Sequence, residues 1–541
     1  MEKDRISHLL SSNDAPDQLE AAEFGRICNK LTTKINELAA QDHRQPDPER
    51  QSPIRVVEGQ LNNLTIVLSP LRRVPFELIA EILALSLPET SSYVGRAQLI
   101  EACLICKSWR VAALSKHILW ATLDLNLGHS PYDKVMSWLG RSGNFPKSLR
   151  ISSSGTLMPT YAENVGKLLS CGPTLDHFYL SMRSTFEWIN ILQYLGKAPP
   201  PSRTWNSIRS LALRFNVRKW NVPPFAQLPG VESFHLYLPL MEDAFSTTGS
   251  CARTRLNFRP EFLQNLTDLR IQFDWPPDPI AAILECCSNL EKLYLSFENV
   301  PLLPFEEWPV FQFPRLKSLH LASLTSLASL NFIRAPLLQC LHLDSHVKTF
   351  FDAGRLYLDA SEVKETWKGF VLRHSGLTSL YIEDIIVDTT SFRALFSRSY
   401  PLPHLTHLTL DRVTWDSKVT RLDSWRRLFS PHVLLRYVHV LPCLESVSLL
   451  RVDGDFIELD ALLEFVEEQE RAKTNDGGQL GSRIDGTPGG IRDFTLTYHA
   501  EAGPGSMSVE HSLEIQARID SLNHGGTSVR VGPRFEPPDD W

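Results

Sequence analysis

One short pattern recurs along most of this chain and constrains its fold more than any other feature. An apolar residue is followed three and five positions later by two more, in copies that open at Leu175, Ile208, Val231, Leu266, Leu290, Leu316, Leu338, Leu377, Leu405, Leu444 and Ile491. The last two apolar positions flank one variable residue, the alternation of a strand with one buried face, and the first closes the turn that enters it. Helical signals separate the copies. Asp278 can cap a helix that has Pro279 in its first turn and Ile280, Ile283, Leu284 and Cys287 on one face, and Thr160 with Glu163 forms a capping box before Val165, Leu168 and Leu169. Leu459, Leu462, Leu463 and Val466 repeat that spacing.

A strand with one short helix cannot bury its apolar face alone, so consecutive units must stack. The expected fold class is α/β, an irregular leucine-rich-repeat solenoid over residues 121–531, with one curved sheet from about Leu123 to Val531 and helices outside it. Copies lie from 22 residues apart (Leu316 to Leu338) to 47 apart (Leu444 to Ile491), so loops are inserted between units. The glycine-rich stretch 475–490 cannot bury enough apolar surface to order itself and is expected to be mobile. A helix over Ser508 to Leu522 and a strand over Ser528 to Val531 read as a closing cap, with residues 532–541 a tail.

The first 120 residues follow other rules. In segment 1–68, Phe24, Ile27, Leu31, Ile35 and Leu38 fall on one face of a helix over Glu20 to Ala40, Pro46 and Pro48 mark a linker, and a weaker helical pattern covers Val56 to Val67. Residues 69–120 read as three helices: one led by Pro75 and ending near Leu87, one from Arg96 to Cys106, and one from Lys107 to Leu114. So small a unit is marginal alone and must bury Trp109, Leu119 and Trp120 together or offer them to a partner.

Composition excludes several classes. At 541 residues the chain is too long for one ordinary core, and a formal net charge of -7 argues against nucleic-acid binding, which needs a concentrated positive face. The pairs Arg72-Arg73 and Arg426-Arg427 read as solvated surface. No uninterrupted apolar run is long enough for a membrane span, and residues 1–13 are no secretory signal. The nine cysteines are scattered, as in a reducing compartment, cytoplasm or nucleus. Cys103 and Cys106 lack the second ligand pair of a zinc site, Cys286-Cys287 and His404 with His407 suggest no metal, and the glycine-rich loop lacks a phosphate-binding lysine. No cofactor is expected.

The order Val74-Pro75-Phe76-Glu77-Leu78-Ile79, Ile82-Leu83, Leu99, Cys106-Lys107-Ser108-Trp109-Arg110 and Leu119-Trp120 resembles the F-box family. With the helix before it, Leu68-Ser69-Pro70-Leu71-Arg72-Arg73 and the repeats after it, the whole resembles the expanded F-box family of mushroom-forming fungi. Val74 in place of the usual leucine and a longer loop between Leu87 and Leu99 depart from the pattern. The resemblance implies that Pro75, Leu78, Ile79, Ile82 and Leu83, with Trp109 nearby, dock on a Skp-type adaptor and through it a cullin. It implies a substrate-recognition subunit of a ubiquitin ligase with no catalytic site of its own. A non-degradative scaffold that uses the same repeats is the alternative.

The variable residue inside each strand motif points away from the core. Tyr179, Ala212, His235, Arg270, Tyr294, His320, His342, Tyr381 and Thr409 occupy it, a set rich in rings and poor in lysine and glutamate. Flat side chains give contact area at low entropic cost, so a protein target is expected on this face with Tyr294, His320 and His342 near its middle.

Overall fold

The computed structural model describes residues 2–12, 14–42, 51–126, 132–152, 160–183, 185–197, 203–216, 225–239, 256–275, 277–297, 308–345, 356–358, 360–397, 399–415, 441–452, 459, 462–464, 466–467, 491–498 and 513–533. It is a mixed α/β structure with a long parallel sheet. The chain divides into two compact units: residues 1–178 with 201–207, and residues 179–200 with 208–541.

The first unit opens with helices Glu2–Ser12, Gln18–Asp42 and Gln51–Val67. The second starts where it does because Asp17 and Glu20 form a reciprocal cap: the Glu20 amide donates to Asp17 Oδ1 at 2.7 Å and the Asp17 amide to Glu20 Oε2 at 3.0 Å. Leu9, Phe24, Leu64 and Val67 bury a common core. The helix before residue 13 has no counterpart in the sequence expectations, while Pro46 and Pro48 lie outside the described residues. Arg72 is not solvated surface: its guanidinium donates to the Leu9 carbonyl at 2.7 Å and so holds the first helix.

Helices Phe76–Ser86, Tyr93–Ile105 and Lys107–Ser115 follow, close to the expected positions, and the third packs against the other two. Ile79, Ala80, Leu83, Leu99, Ala102, Ala112 and Ala113 are buried there. The long loop before the second helix is tightly built. Ser92 Oγ caps that helix by accepting from the Gly95 amide at 3.0 Å, and Arg96 donates to the carbonyls of Ser91 and, at 2.6 Å, Asp124. The Asp124 amide also donates to the Ser91 carbonyl at 3.1 Å. The three helices are thereby fastened to the strand Thr122–Asn126, which pairs in parallel with Ser148–Ser152. Neither strand stands among the motif copies above: Pro146 occupies the opening position of the second, while Trp120, Leu123 and Leu125 fit the spacing of the first.

In the second unit the main-sheet strands from Ser210–Phe215 to Ser528–Pro533 pair in parallel in chain order. The motif residues are their core: Ile208, Leu211 and Leu213 are buried, and so are the corresponding triplets through Ile491, Phe494 and Leu496. Parallel strands leave the turns that enter them with backbone groups to satisfy, and one carbonyl per unit does this. Glu232 O accepts the amides of Thr267 and Asp268, Thr267 O those of Glu291 and Lys292, and the series continues to Glu445 O with Arg492 and Asp493. Short strands Leu356–Leu358, Ile385–Val387 and Thr414–Trp415 make a second parallel sheet. The chain enters the last two through the non-glycine residues Asp384 (φ 59°) and Arg412 (φ 49°), in the left-handed region. The closing helix and strand are Leu513–His524 and Ser528–Pro533, and the stretch 475–490 lies outside the described residues.

Candidate docking surfaces

The Phe76–Ser86 helix is apolar on two neighbouring stripes. One, Ile79 with Leu83, is turned inward and buried, which removes both residues from the expected docking set: a three-helix unit this small needs them as its own core. The other, at i, i+4 and i+7, is open. Leu78 is 55% exposed, Ile82 50% and Leu85 87%. Pro75 is exposed and Trp109 half-buried. The neighbouring helices add exposed Ile100, Leu104 and Val111. Large apolar side chains left in water on one small unit are the mark of a partner site.

In the second unit the parallel register places the expected outward residues in one row. Ala212, His235, Arg270, Tyr294, His320, His342, Tyr381 and Thr409 are successive partners across the strands, and Ser448 and Thr495 extend the row. Its middle is a chain of touching rings. Tyr294 meets His320 edge to face at 4.5 Å, His320 stacks on His342 at 3.7 Å, and His342 lies 4.1 Å from Tyr381. Burial, aided by His342, pulls the His320 pKa down to about 3, so its ring is neutral at pH 7. The Nε2 atoms of His320 and His342 are buried without a hydrogen bond, and the two rings cover one another's faces.

Beyond the rings stands an ion network absent from the sequence expectations. Arg451 Nε donates to Asp411 Oδ1 at 2.6 Å and Nη2 to Glu383 Oε1 at 2.8 Å, with a further bond to Asp411 Oδ2. Arg412 Nη2 reaches Glu383 Oε1 at 2.7 Å and Asp384 Oδ2 at 3.1 Å. The Tyr381 hydroxyl donates to Asp411 Oδ2 at 2.5 Å. His342 Nε2 is 3.5 Å from Glu383 Oε2, beyond a well-formed hydrogen bond. Burial alone would push Glu383 up, but His342, Arg412 and Arg451 outweigh it and hold the carboxylate below its usual range. Hydrogen bonding to Asp411 raises Arg451 despite its burial. Asp384, Arg412 and Arg451 all have positive φ, a conformation that costs a non-glycine residue about 1–2 kcal/mol. Their shared signal in the sequence is a charged residue one or two places after the last apolar motif position, as in Ile382-Glu383-Asp384, Leu410-Asp411-Arg412 and Leu449-Leu450-Arg451.

The remaining candidates stay apart. Cys103 lies in the second helix of its unit while Cys106 sits in extended backbone between helices, so the two do not share a helix face. Cys286 is half-buried and Cys287 buried, and burial pushes the Cys287 thiol up. His407 starts a strand that His404 precedes, and both are exposed. Among the described residues no group of three or more metal-ligating side chains occurs, and no helix is long and apolar enough to cross a membrane. Compared with known proteins, the chain matches no family model and no curated sequence.

Proposed function

We propose that this chain is a substrate-recognition subunit of a Skp-cullin-F-box type ubiquitin ligase. In this reading the three helices between Phe76 and Ser115 are an F-box and the strand-and-turn units are an irregular leucine-rich-repeat solenoid that holds a protein target. The observation that carries it is the open apolar stripe of Leu78, Ile82 and Leu85, backed by Ile100, Leu104 and Val111 on adjacent helices. Half-exposed leucine and isoleucine side chains each forgo roughly 1 kcal/mol of burial, which a docking partner would recover. The resemblance of the Pro75-led and Trp109-bearing helices to the F-box names the class of that partner. Arg96, Ser91 and Asp124 support the reading further, because they tie the helices to the adjoining strand and would give a docked adaptor a fixed mount.

The test is co-purification of a Skp-type adaptor with the full chain and with the double variant Pro75→Ala, Leu78→Ala. Truncating an anchor in a water-excluded interface costs about 2 kcal/mol, so the double variant should retain less than a tenth of the adaptor while the repeats stay folded. Equal recovery from both proteins would show that the helices only resemble an F-box.

A further inference from the structure

Four successive strands of the second unit, Ser210–Phe215, Ser233–Tyr237, Asp268–Phe273 and Lys292–Phe297, carry more cations than acids on their outward face. Their inward residues, from Leu211 and Leu213 to Leu293 and Leu295, are buried, which turns Arg214, Arg270 and Lys292 to the other side with Asp268 as the one acid among them. Resting on the reading above that the second unit holds a protein target, we propose that this face takes an extended acidic segment of that target, its carboxylates paired with Arg214, Arg270 and Lys292.

The three cations lie on a diagonal. Lys292 is the register partner of Asp268, Arg270 that of His235 one outward position further along, and Arg214 that of Tyr237 one further again. With strands about 4.8 Å apart and outward residues about 6.6 Å apart along each, Arg214 stands roughly 12 Å from Arg270, and Arg270 roughly 8 Å from Lys292. The whole diagonal is about 20 Å, the length of about six extended residues.

Their present contacts leave these charges available. Arg214 donates from Nε to Asn216 Oδ1 at 3.2 Å and its guanidinium lies 5.8 Å from the Tyr237 ring centroid, both neutral groups. Arg270 Nε is 3.8 Å from Asp268 Oδ1, longer than a hydrogen bond, and its side chain is 44% exposed. Lys292 makes no ion pair among the described residues, and Glu291 beside it is held by Lys317 at 2.9 Å. Three cations against one carboxylate leave a surplus of two positive charges on the four strands. In the turns that enter them Arg209 offsets Glu232, and Asp274 beyond the strand ends is buried and engaged. The nearest outward carboxylate on the following strands is Asp344, roughly 16 Å from both Lys292 and Arg270, about two screening lengths at physiological salt. The chain as a whole carries a formal charge of -7, so bulk charge repels an acidic peptide and only a local strip of this kind selects one. Three cations are also far fewer than the about 6–10 phosphate contacts of a nucleic-acid binder, which favours a peptide.

The test pans a displayed library of random octapeptides on the purified full chain, without adaptor. Three variants are panned beside it: Arg214→Glu with Lys292→Glu, the milder Arg214→Gln with Lys292→Gln, and Lys364→Glu with Lys368→Glu. The last pair makes the same charge change at exposed helical positions off the strands. Thermal unfolding checks each fold, and the glutamine pair carries the decision if the glutamate pair on the strands unfolds. Wild type should enrich aspartate or glutamate about tenfold over lysine and arginine, at two positions about three to six residues apart. The glutamine pair should weaken that preference, the glutamate pair on the strands should erase or reverse it, and the helical pair should keep it. A neutral or basic consensus, no peptide above background, an unchanged consensus from a folded strand variant, or its loss in the helical pair would overturn the proposal. So would tighter capture of a single-stranded DNA oligonucleotide than of the selected peptide. The ligase reading fails separately: an acidic consensus without adaptor capture retires the ligase and keeps the face, and adaptor capture with a basic consensus does the reverse.

Discussion

Gly95 stands where the long loop after Leu87 turns into the Tyr93–Ile105 helix, and a methyl group there has nowhere to go. A Cβ built on it lies 2.3 Å from the Glu89 carbonyl oxygen, 2.8 Å from the Glu89 carbonyl carbon and 2.9 Å from the Pro88 oxygen, all backbone atoms. The loop must therefore shift in Gly95→Ala, and it carries the Ser92 cap and the Ser91 carbonyl that Arg96 and Asp124 bind. Overpacking costs about 1–3 kcal/mol and a lost cap about 1 kcal/mol, against a gain of about 1 kcal/mol in helix propensity. The net is a destabilisation of about 2 kcal/mol. Amides of the Tyr93–Ile105 helix that open locally should exchange with solvent hydrogen roughly 30-fold faster in the variant. Gly25→Ala is the control: nothing lies within 4 Å of its Cβ, it is inside the Gln18–Asp42 helix, and exchange there should slow by the equivalent of about 0.5–1 kcal/mol. Equal exchange of the Tyr93–Ile105 amides in wild type and Gly95→Ala would refute the account of the loop as a rigid brace.

Arg451→Ala leaves Asp411, 2% exposed, without its cation and should destabilise the second unit by about 3 kcal/mol in urea unfolding; Arg451→Lys should recover only part, since lysine cannot bind two carboxylates through a planar fork. Acid should weaken the same unit in a defined window. His374 is buried, accepts from the Ala335 amide at 3.1 Å and has its pKa pulled down by burial to about 4, so between pH 6.5 and about 4 the unfolded chain binds the extra proton. Stability is therefore complete above pH 6.5 and falls with pH through that window, by about 3 kcal/mol from His374 at the acid limit, and His320, lowered to about 3, adds a loss of its own across the same window and below it. His374→Asn should cut the slope of that acid limb by about half, since His320 still titrates in the same window; an unchanged slope in thermal unfolding from pH 7 to 4 would remove His374 as a cause.

The sequence by itself determined the strand motif, its buried triplets, the three helices after Pro75 and the row of outward rings. Each depends on a short-range period: two residues per strand repeat, 3.6 per helical turn, and a fixed offset from the turn that enters each strand. Two kinds of decision came only with the tertiary structure. The first is which stripe of the Phe76–Ser86 helix is core. Leu78, Ile79, Ile82 and Leu83 are alike in hydrophobicity, and only the packing of the Lys107–Ser115 helix turns Ile79 and Leu83 inward and leaves Leu78 and Ile82 open. The second is the ion network. Glu383, Asp411 and Arg451 are distant in the chain and meet because successive strands stack in register, and the left-handed backbone at Arg412 and Arg451 aims both guanidinium groups back at the carboxylates. A charged residue after a strand is common in any sequence; which charges pair depends on how the preceding units stack, and that is settled only when their apolar faces are buried together.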